Sequence, residues 1–465
     1  MMSILPHVQA MPPASCMGGR EPSRPHVFGH ERLTRYSERL PVIGRQPYET
    51  EEYRGICILV NYADESFQAT NTKAAFDSLA NAKNYTYDGA IGSVKEYFRE
   101  QSAGFFVPHF DVVGPVTLPR TNAWYGTDRD YRGDDRYVGD LVVDACHAAK
   151  GIGVNFADYD SDEDGQIDFV YIIYAGFGQA DGGESWRIWP FEWDMESVLY
   201  FGNASPERLD SFYVEVDEDL NVLDERLPMF DGKTVMRYAC SNELRHNDSH
   251  RIGISTMCHE FCHVLGLPDY YVTAAGVPQQ YAGEEPGQWS LMSNGAYNNN
   301  GRTPPNFSVY DKYYLGWVSP SLLVDPQIVT LPADGQTYYK YKTNNIDPAD
   351  GAFSRDTVWY IENRQQTGWD EYLPGAGVVT WQVVYDEDEW ENNTVNNNTT
   401  RYCIIDIEEG EGTLDYNFRG YHPTGLCQPV VQDAAQSLWY NIIGQPVGEQ
   451  YRGVVISNGR KQIRL

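Results

Sequence analysis

Long apolar runs are missing from this sequence. No segment reaches the roughly 18–20 uninterrupted apolar residues that a membrane-crossing helix requires, so a helical span is excluded. Basic residues are scarce as well: 35 Lys and Arg face 66 Asp and Glu, a formal charge of −31. A field of that sign repels nucleic acid and anionic lipid and favours cations. Cysteine is thinly spread, with eight among 465 residues (Cys16, Cys57, Cys146, Cys240, Cys258, Cys262, Cys403 and Cys427) and no CxxC pair. That distribution argues against a zinc ribbon or a redox dithiol. The segment Met1 to Arg20 lacks a basic start followed by an apolar run of about 7–15 residues, so no secretory signal is visible. Cys16 follows Pro13-Ala14-Ser15 without the apolar stretch that a lipid-attachment site needs.

Aromatic residues are abundant, at 14%, with 34 Tyr and 11 Trp, and apolar residues reach 42%. A chain of this length and composition is globular, with two or three domains at roughly 150 residues each. Residues 1–52 are rich in Pro, Arg and Gly without periodicity, as in a leader or the remnant of a pro-segment. Gly55 to Val60 is a short apolar run that predicts a buried strand, and Ser93-Val94-Lys95-Glu96 is a capping box opening a helix. A helix is expected over Asp140 to Lys150, a buried strand over Ile167 to Ala175, and a further helix over Arg251 to Leu265.

Residues 53–320 thus read as an α+β domain. Beyond Pro320 the pattern turns to strands, at Tyr339 to Lys342, Val358 to Ile361 and Gly377 to Trp381, which predicts a β-rich, sandwich-like domain over 321–432. The acidic, Asn-rich run Asp386 to Thr400 reads as a solvated loop. Cys403 and Cys427 are the expected pair if the compartment is oxidising, whereas Cys57 is expected as a buried thiol. Residues 433–465 form a separate tail.

The chemistry concentrates at His259-Glu260-Phe261-Cys262-His263, an HExxH motif. Met257, Phe261, Val264 and Leu265 recur at helical spacing around it, so the motif lies on an amphipathic helix. Residues four apart share a face, which lets both imidazoles reach one Zn²⁺ while Glu260 is angled toward a water as general base. Gly266 ends the helix and lets Leu267-Pro268 bring Asp269 back as third ligand; Glu284 or Glu285 is the alternative, at the distance used by thermolysin-like enzymes. Two histidines, a carboxylate and an open fourth position describe a catalytic zinc site.

Met292, in Trp289-Ser290-Leu291-Met292-Ser293-Asn294-Gly295, sits in a tight turn, and beside the extended zinc motif it looks like the Met-turn of metzincins. Tyr297 and Tyr270 are candidate donors to the oxyanion. Asp160, Asp162, Asp164 and Asp168, with Gly165 for the turn and Gln166 offering its carbonyl, have the spacing of a calcium loop. Position 12 is Tyr171 and a strand follows, so the scaffold is not an EF-hand.

Assembled, these residues resemble the immune inhibitor A family of secreted bacterial zinc metallopeptidases. Gly92-Ser93-Val94-Lys95-Glu96-Tyr97-Phe98, Asp111-Val112-Val113-Gly114-Pro115, the calcium-like loop running into Tyr174-Ala175-Gly176, Ile188-Trp189-Pro190, Cys258 to Tyr271 and Trp289 to Trp317 look like its landmarks in order. The resemblance implies a zincin or metzincin-like catalytic domain, with His259, His263 and Asp269 on zinc and Glu260 as base. It also implies protein or peptide substrates and a secreted, cell-surface or periplasmic location. Ca²⁺ in the acidic loop is expected to be structural, holding its carboxylates together against their repulsion, and the chain is expected to be a monomer.

Two positions depart from the family pattern: Phe191 where His often follows Ile-Trp-Pro, and Gln382 in Trp381-Gln382-Val383 where relatives carry Trp-His-Ile. The closing segment from Trp439 to Lys461 looks like the β hairpins of bacterial sorting tails. The alternatives are a catalytically silent or latent relative that binds protein or glycan, and another zinc hydrolase, because HExxH alone does not fix the substrate.

Overall fold

The computed structural model describes residues 9–10, 53–129, 135–161, 163–180, 182–217, 222–245, 248–272, 285–342, 357–386, 390, 395, 400–419, 439–441, 446–447, 453–457 and 460–464. The chain divides into two units, Met1–Phe418 and Arg419–Leu465. The smaller carries an antiparallel sheet in the order Pro446–Val447, Trp439–Asn441, Gly453–Ser457, Arg460–Arg464.

The larger unit is mixed α/β. Its main sheet runs Gln9–Ala10, Phe191–Asp194, Arg237–Leu244, Val170–Phe177, Arg54–Asn61, His109–Thr117. The last four strands are mutually parallel, whereas Phe191–Asp194 and Gln9–Ala10 are antiparallel to their neighbours. Parallel strands covered on both faces are apolar at successive positions, and Ile56 through Val60 are all fully buried. Side chains alternate across the sheet. Ile56, Ile58 and Val60 join the helix Val138–Gly151 on one face. Cys57 and Leu59 join the helix Ser255–Val264, which carries the HExxH motif, on the other.

The helix Val94–Gln101 opens as expected: Ser93 Oγ accepts from the Glu96 N–H at 3.2 Å, and Glu96 Oε2 accepts from the Ser93 N–H at 3.3 Å. Two expectations are adjusted. The strand expected over Ile167 to Ala175 is broken, because the Asp168 N–H donates to the Tyr159 carbonyl (2.7 Å) and its carboxylate accepts from the Ser161 N–H (3.0 Å). Gln166–Ile167 therefore pairs with Thr234 and Val235, while Val170–Phe177 joins the main sheet. The helix expected from Arg251 starts at Ser255, because Arg251 forms a β bridge with Leu244 and lies over the Tyr87 ring.

After Pro320 a five-stranded sheet runs Ser321–Leu322, Tyr339–Lys342, Thr357–Arg364, Gly377–Val384, Arg401–Glu409, antiparallel from Tyr339 onward. Tyr360, Val379, Trp381, Val383 and Tyr402 from this sheet belong to the same apolar core as Met257, Phe261 and Leu265 of the motif helix. Trp390 and Val395 are buried in that core too, which corrects the solvated-loop expectation at those two positions. Arg364 ties the layers together. It pairs with Asp370 and Glu362 in the interior and donates to the Asn306 carbonyl at 3.0 Å. No helix among the described residues is long and apolar enough to cross a membrane.

Candidate metal centre

The motif helix is held to the sheet by the residue between its histidines. Phe261 packs against Tyr53, Phe98, Phe106, Phe110 and Phe169, with ring centroids 5.0–6.0 Å apart. That aromatic plug fixes the rotation of the helix and turns His259 and His263 to a common side. Their Nε2 atoms lie 3.2 Å apart, and both rings are fully buried.

Each ring is oriented from its far side. His259 Nδ1 is 2.9 Å from the Leu291 carbonyl, and His263 Nδ1 is 2.7 Å from the Leu267 carbonyl. A carbonyl only accepts, so each Nδ1 carries the proton and each Nε2 presents its lone pair. The helix stops where Leu267 is needed: Gly266 adopts φ +93°, the Gly266 N–H donates to the His263 carbonyl, and the Leu267 N–H donates to the Cys262 carbonyl.

Beyond this turn Asp269 Oδ1 stands 3.1 Å from His259 Nε2 and 3.6 Å from His263 Nε2, with its side chain fully buried. Ligand atoms about 2.0–2.1 Å from one tetrahedral zinc are separated by about 3.3–3.4 Å, a spacing that the three atoms bracket. Glu260 is also fully buried, and its carboxylate lies within 4.8 Å of both histidine donor atoms. Three acceptor atoms converging in a buried site are stabilised by a cation, so the donor set fits zinc.

The turn around Met292 supports both sides of this centre. Leu291 orients His259, and the Met292 carbonyl accepts from the Tyr270 N–H at 2.8 Å. Met292 itself is fully buried. Tyr270, expected as an oxyanion donor, instead donates its hydroxyl to Asp311 Oδ1 at 2.9 Å. Burial pushes the Asp311 carboxyl up to about 6, against hydrogen bonds from Tyr270, Ser308 and Tyr402. Tyr297 is half-buried and packs against the same core.

Glu284 lies outside the described residues, and Glu285 accepts from the Val272 N–H at 2.8 Å. Burial raises the Glu285 carboxyl to about 7. Of the sequence candidates for a third ligand that are described, Asp269 stands beside both histidines. The supporting Leu267, Leu291, Asp311 and Tyr402 were not singled out by sequence. Only Ser308-x-x-Asp311 carried a signal, as a capping box, and that box is formed.

The acidic loop is braced internally. Asp160 accepts from the N–H groups of Asp164 (3.0 Å) and Gly165 (3.1 Å), and Asp164 Oδ1 accepts from the Gln166 N–H at 2.8 Å. Asp160 Oδ2 also meets the Lys233 ammonium at 2.5 Å. Asp162 lies outside the described residues. Phe191 is fully buried against Trp193 and Tyr238, so its side chain is core. Gln382 pairs across strands with Trp359 and Cys403. Cys403 is a buried free thiol, like Cys57, and Cys427 lies outside the described residues.

The backbone of Phe191–Asp194 and that of Gln9–Ala10 both come within 8 Å of the motif helix. Gln9 pairs with Glu192 and Ala10 with Phe191, so an extended segment already lies antiparallel along this strand.

The immune inhibitor A peptidase M6 catalytic-domain family matches residues 58–224 and 230–318. Among curated proteins, immune inhibitor A of Bacillus thuringiensis subsp. alesti is 30% identical over 252 residues, covering 49% of this chain and 32% of that protein. The pre-pro-metalloprotease PrtV of Vibrio cholerae serotype O1 (strain M66-2) is 24% identical over 326 residues, 60% of this chain and 32% of the relative. The match therefore spans 32% of the length of each.

Proposed function

This chain belongs to the immune inhibitor A peptidase family, and from that premise we propose that it is a secreted zinc-dependent endopeptidase with a zincin-like catalytic fold. The observation that carries the reading is the convergence of His259 Nε2, His263 Nε2 and Asp269 Oδ1, with both Nδ1 protons fixed on backbone carbonyls. These three residues would hold zinc. When bound, zinc acidifies water and polarises the scissile carbonyl.

Glu260 takes the proton from the attacking water and delivers it to the departing amine as the C–N bond breaks. Its burial beside the histidines keeps that proton from bulk solvent. The antiparallel pairing of Gln9–Ala10 with Phe191–Asp194 supports an extended peptide substrate lying along the same strand. In that reading Gln9–Ala10 belongs to a pro-segment and takes the strand edge that substrate would use, and removal of that segment precedes activity.

The loop from Asp160 to Asp168 is read as a calcium site whose cation would share Asp160 with Lys233. Calcium there is structural. The acidic surface suits a monomeric extracellular protein acting on protein substrates.

The test couples zinc content to casein cleavage in the parent chain and in Glu260→Ala, with and without chelator. One zinc per chain, with cleavage lost in Glu260→Ala while zinc stays, supports the peptidase. Zinc without cleavage in either, before and after trimming of residues 1–50, favours a silent binding protein. Release of terminal residues alone would replace the endopeptidase with an exopeptidase.

A further inference from the structure

We infer that Tyr402, which lies beyond the family-matched segment, and Asp311 are positioning residues for Asp269, acting through Tyr270; the inference rests on the zinc reading above. Asp269 sits in an irregular segment, in neither a helix nor a strand. On its N-terminal side Leu267 is anchored to Cys262 and His263. On its C-terminal side the anchor is the adjacent Tyr270, which is held in three ways. Its N–H donates to the Met292 carbonyl, its hydroxyl donates to Asp311, and its ring lies face to face with that of Tyr402, centroids 3.6 Å apart at 7°.

Tyr402 is fixed in turn. Its hydroxyl reaches the same Asp311 oxygen at 3.1 Å and hydrogen-bonds Ser308 Oγ, and its ring also meets Tyr310 and Trp381, each at 5.5 Å. Asp311 cannot swing away, because its Oδ2 accepts from the Ser308 N–H (3.0 Å) and its own N–H donates to Ser308 Oγ (3.1 Å). Tyr270, Tyr402 and Ser308 are fully buried, and Asp311 is 2% exposed. A buried network in which each member is hydrogen-bonded to the next has a single arrangement and transmits it to the ligand beside it. The strand Arg401–Glu409 thereby supports the metal centre from outside the segment that defines the family.

The experiment uses the full chain with Zn²⁺ and Co²⁺ as probes. Zinc affinity is measured by competition with a chromophoric chelator, and the visible spectrum of the cobalt form reports ligand geometry. Tyr402→Leu is expected to bind zinc about 10–100-fold more weakly with an altered cobalt spectrum. Tyr402→Phe, which keeps the stacked ring, is expected to restore most of the affinity. Tyr360→Leu, in the same sheet and core with its ring against Tyr310 and Tyr313, is expected to melt earlier and bind zinc like the parent.

Parent-like affinity and spectrum in Tyr402→Leu would overturn the inference, as would an equal loss of affinity in Tyr360→Leu. If Tyr402→Leu does not fold, Tyr270→Phe carries the same test, since it removes only the hydroxyl held by Asp311. A parent chain that takes up no zinc would sink the zinc reading and this inference with it, whereas a zinc-binding parent with indifferent variants would sink this inference alone.

Discussion

His263 and Leu267 close a loop on themselves: the Nδ1–H of His263 donates to the Leu267 carbonyl at 2.7 Å across the turn that ends the motif helix. The closure depends on Gly266 at φ +93°, a conformation that costs a side-chain-bearing residue about 1–3 kcal/mol. Space is not the constraint, because a Cβ at this position would meet nothing nearer than the Tyr314 hydroxyl at 3.4 Å. Gly266→Ala is therefore expected to lower the urea midpoint and weaken zinc retention together. Unchanged retention in a destabilised Gly266→Ala would show that the turn does not orient His263.

Glu260 has a sharper expected outcome. Glu260→Gln preserves the shape of the side chain and removes the base, so cleavage should fall by about 10²–10⁴-fold with zinc content unchanged. Equal loss of zinc and activity would assign Glu260 to the metal.

Removal of residues 1–50 should raise cleavage of an unstructured protein, because it frees the backbone of Glu192 and Phe191 that now pairs with Gln9 and Ala10. Rates measured before and after removal decide the matter. Equal rates would mean that this pairing does not obstruct substrate.

Asp311 gives the pH dependence its sign. Burial raises its carboxyl to about 6 in the folded chain, above the value of about 3.9 in an unfolded one. Between those values the folded state binds more protons, so this group favours folding below pH 4, and its contribution is lost as pH rises through about 6. Asp311→Asn is expected to flatten the change in melting temperature across that window. A variant with the parent's slope would remove Asp311 as the source.

Calcium should raise the melting temperature through the acidic loop, and Asp160→Asn should cancel the effect. Lys233 meets the same carboxylate, and the hydrogen bond with Asp160 raises its ammonium pKa against a smaller opposing effect of burial. Lys233→Met should therefore bind calcium more tightly, measured by titration calorimetry. A parent chain indifferent to calcium would leave the loop as an ion-paired turn.

Much of this was legible because it is written in short spacings. The i, i+4 histidines, Gly266, and the apolar positions on either face of Arg54–Asn61 follow from helical and strand periods. The backbone carbonyls of Leu267 and Leu291 were not legible, since a carbonyl's role leaves no mark on residue identity. Nor was Tyr402, which meets Tyr270 across a sequence separation that no local pattern spans. The break at Asp168 was hidden for a related reason: its side chain bonds back to Ser161 and overrides an apolar run.

The placement of Phe261 between the two histidines has one further consequence. The residue that seats the helix in the aromatic core and the two histidines lie within five consecutive residues of that helix, so the histidines have no way to loosen by themselves. Partial melting that spares the core would spare the histidines, and melting of the core would scatter them. Loss of near-ultraviolet ellipticity and loss of zinc on heating should then trace one curve, making metal retention an all-or-none gauge of whether this half of the molecule is folded.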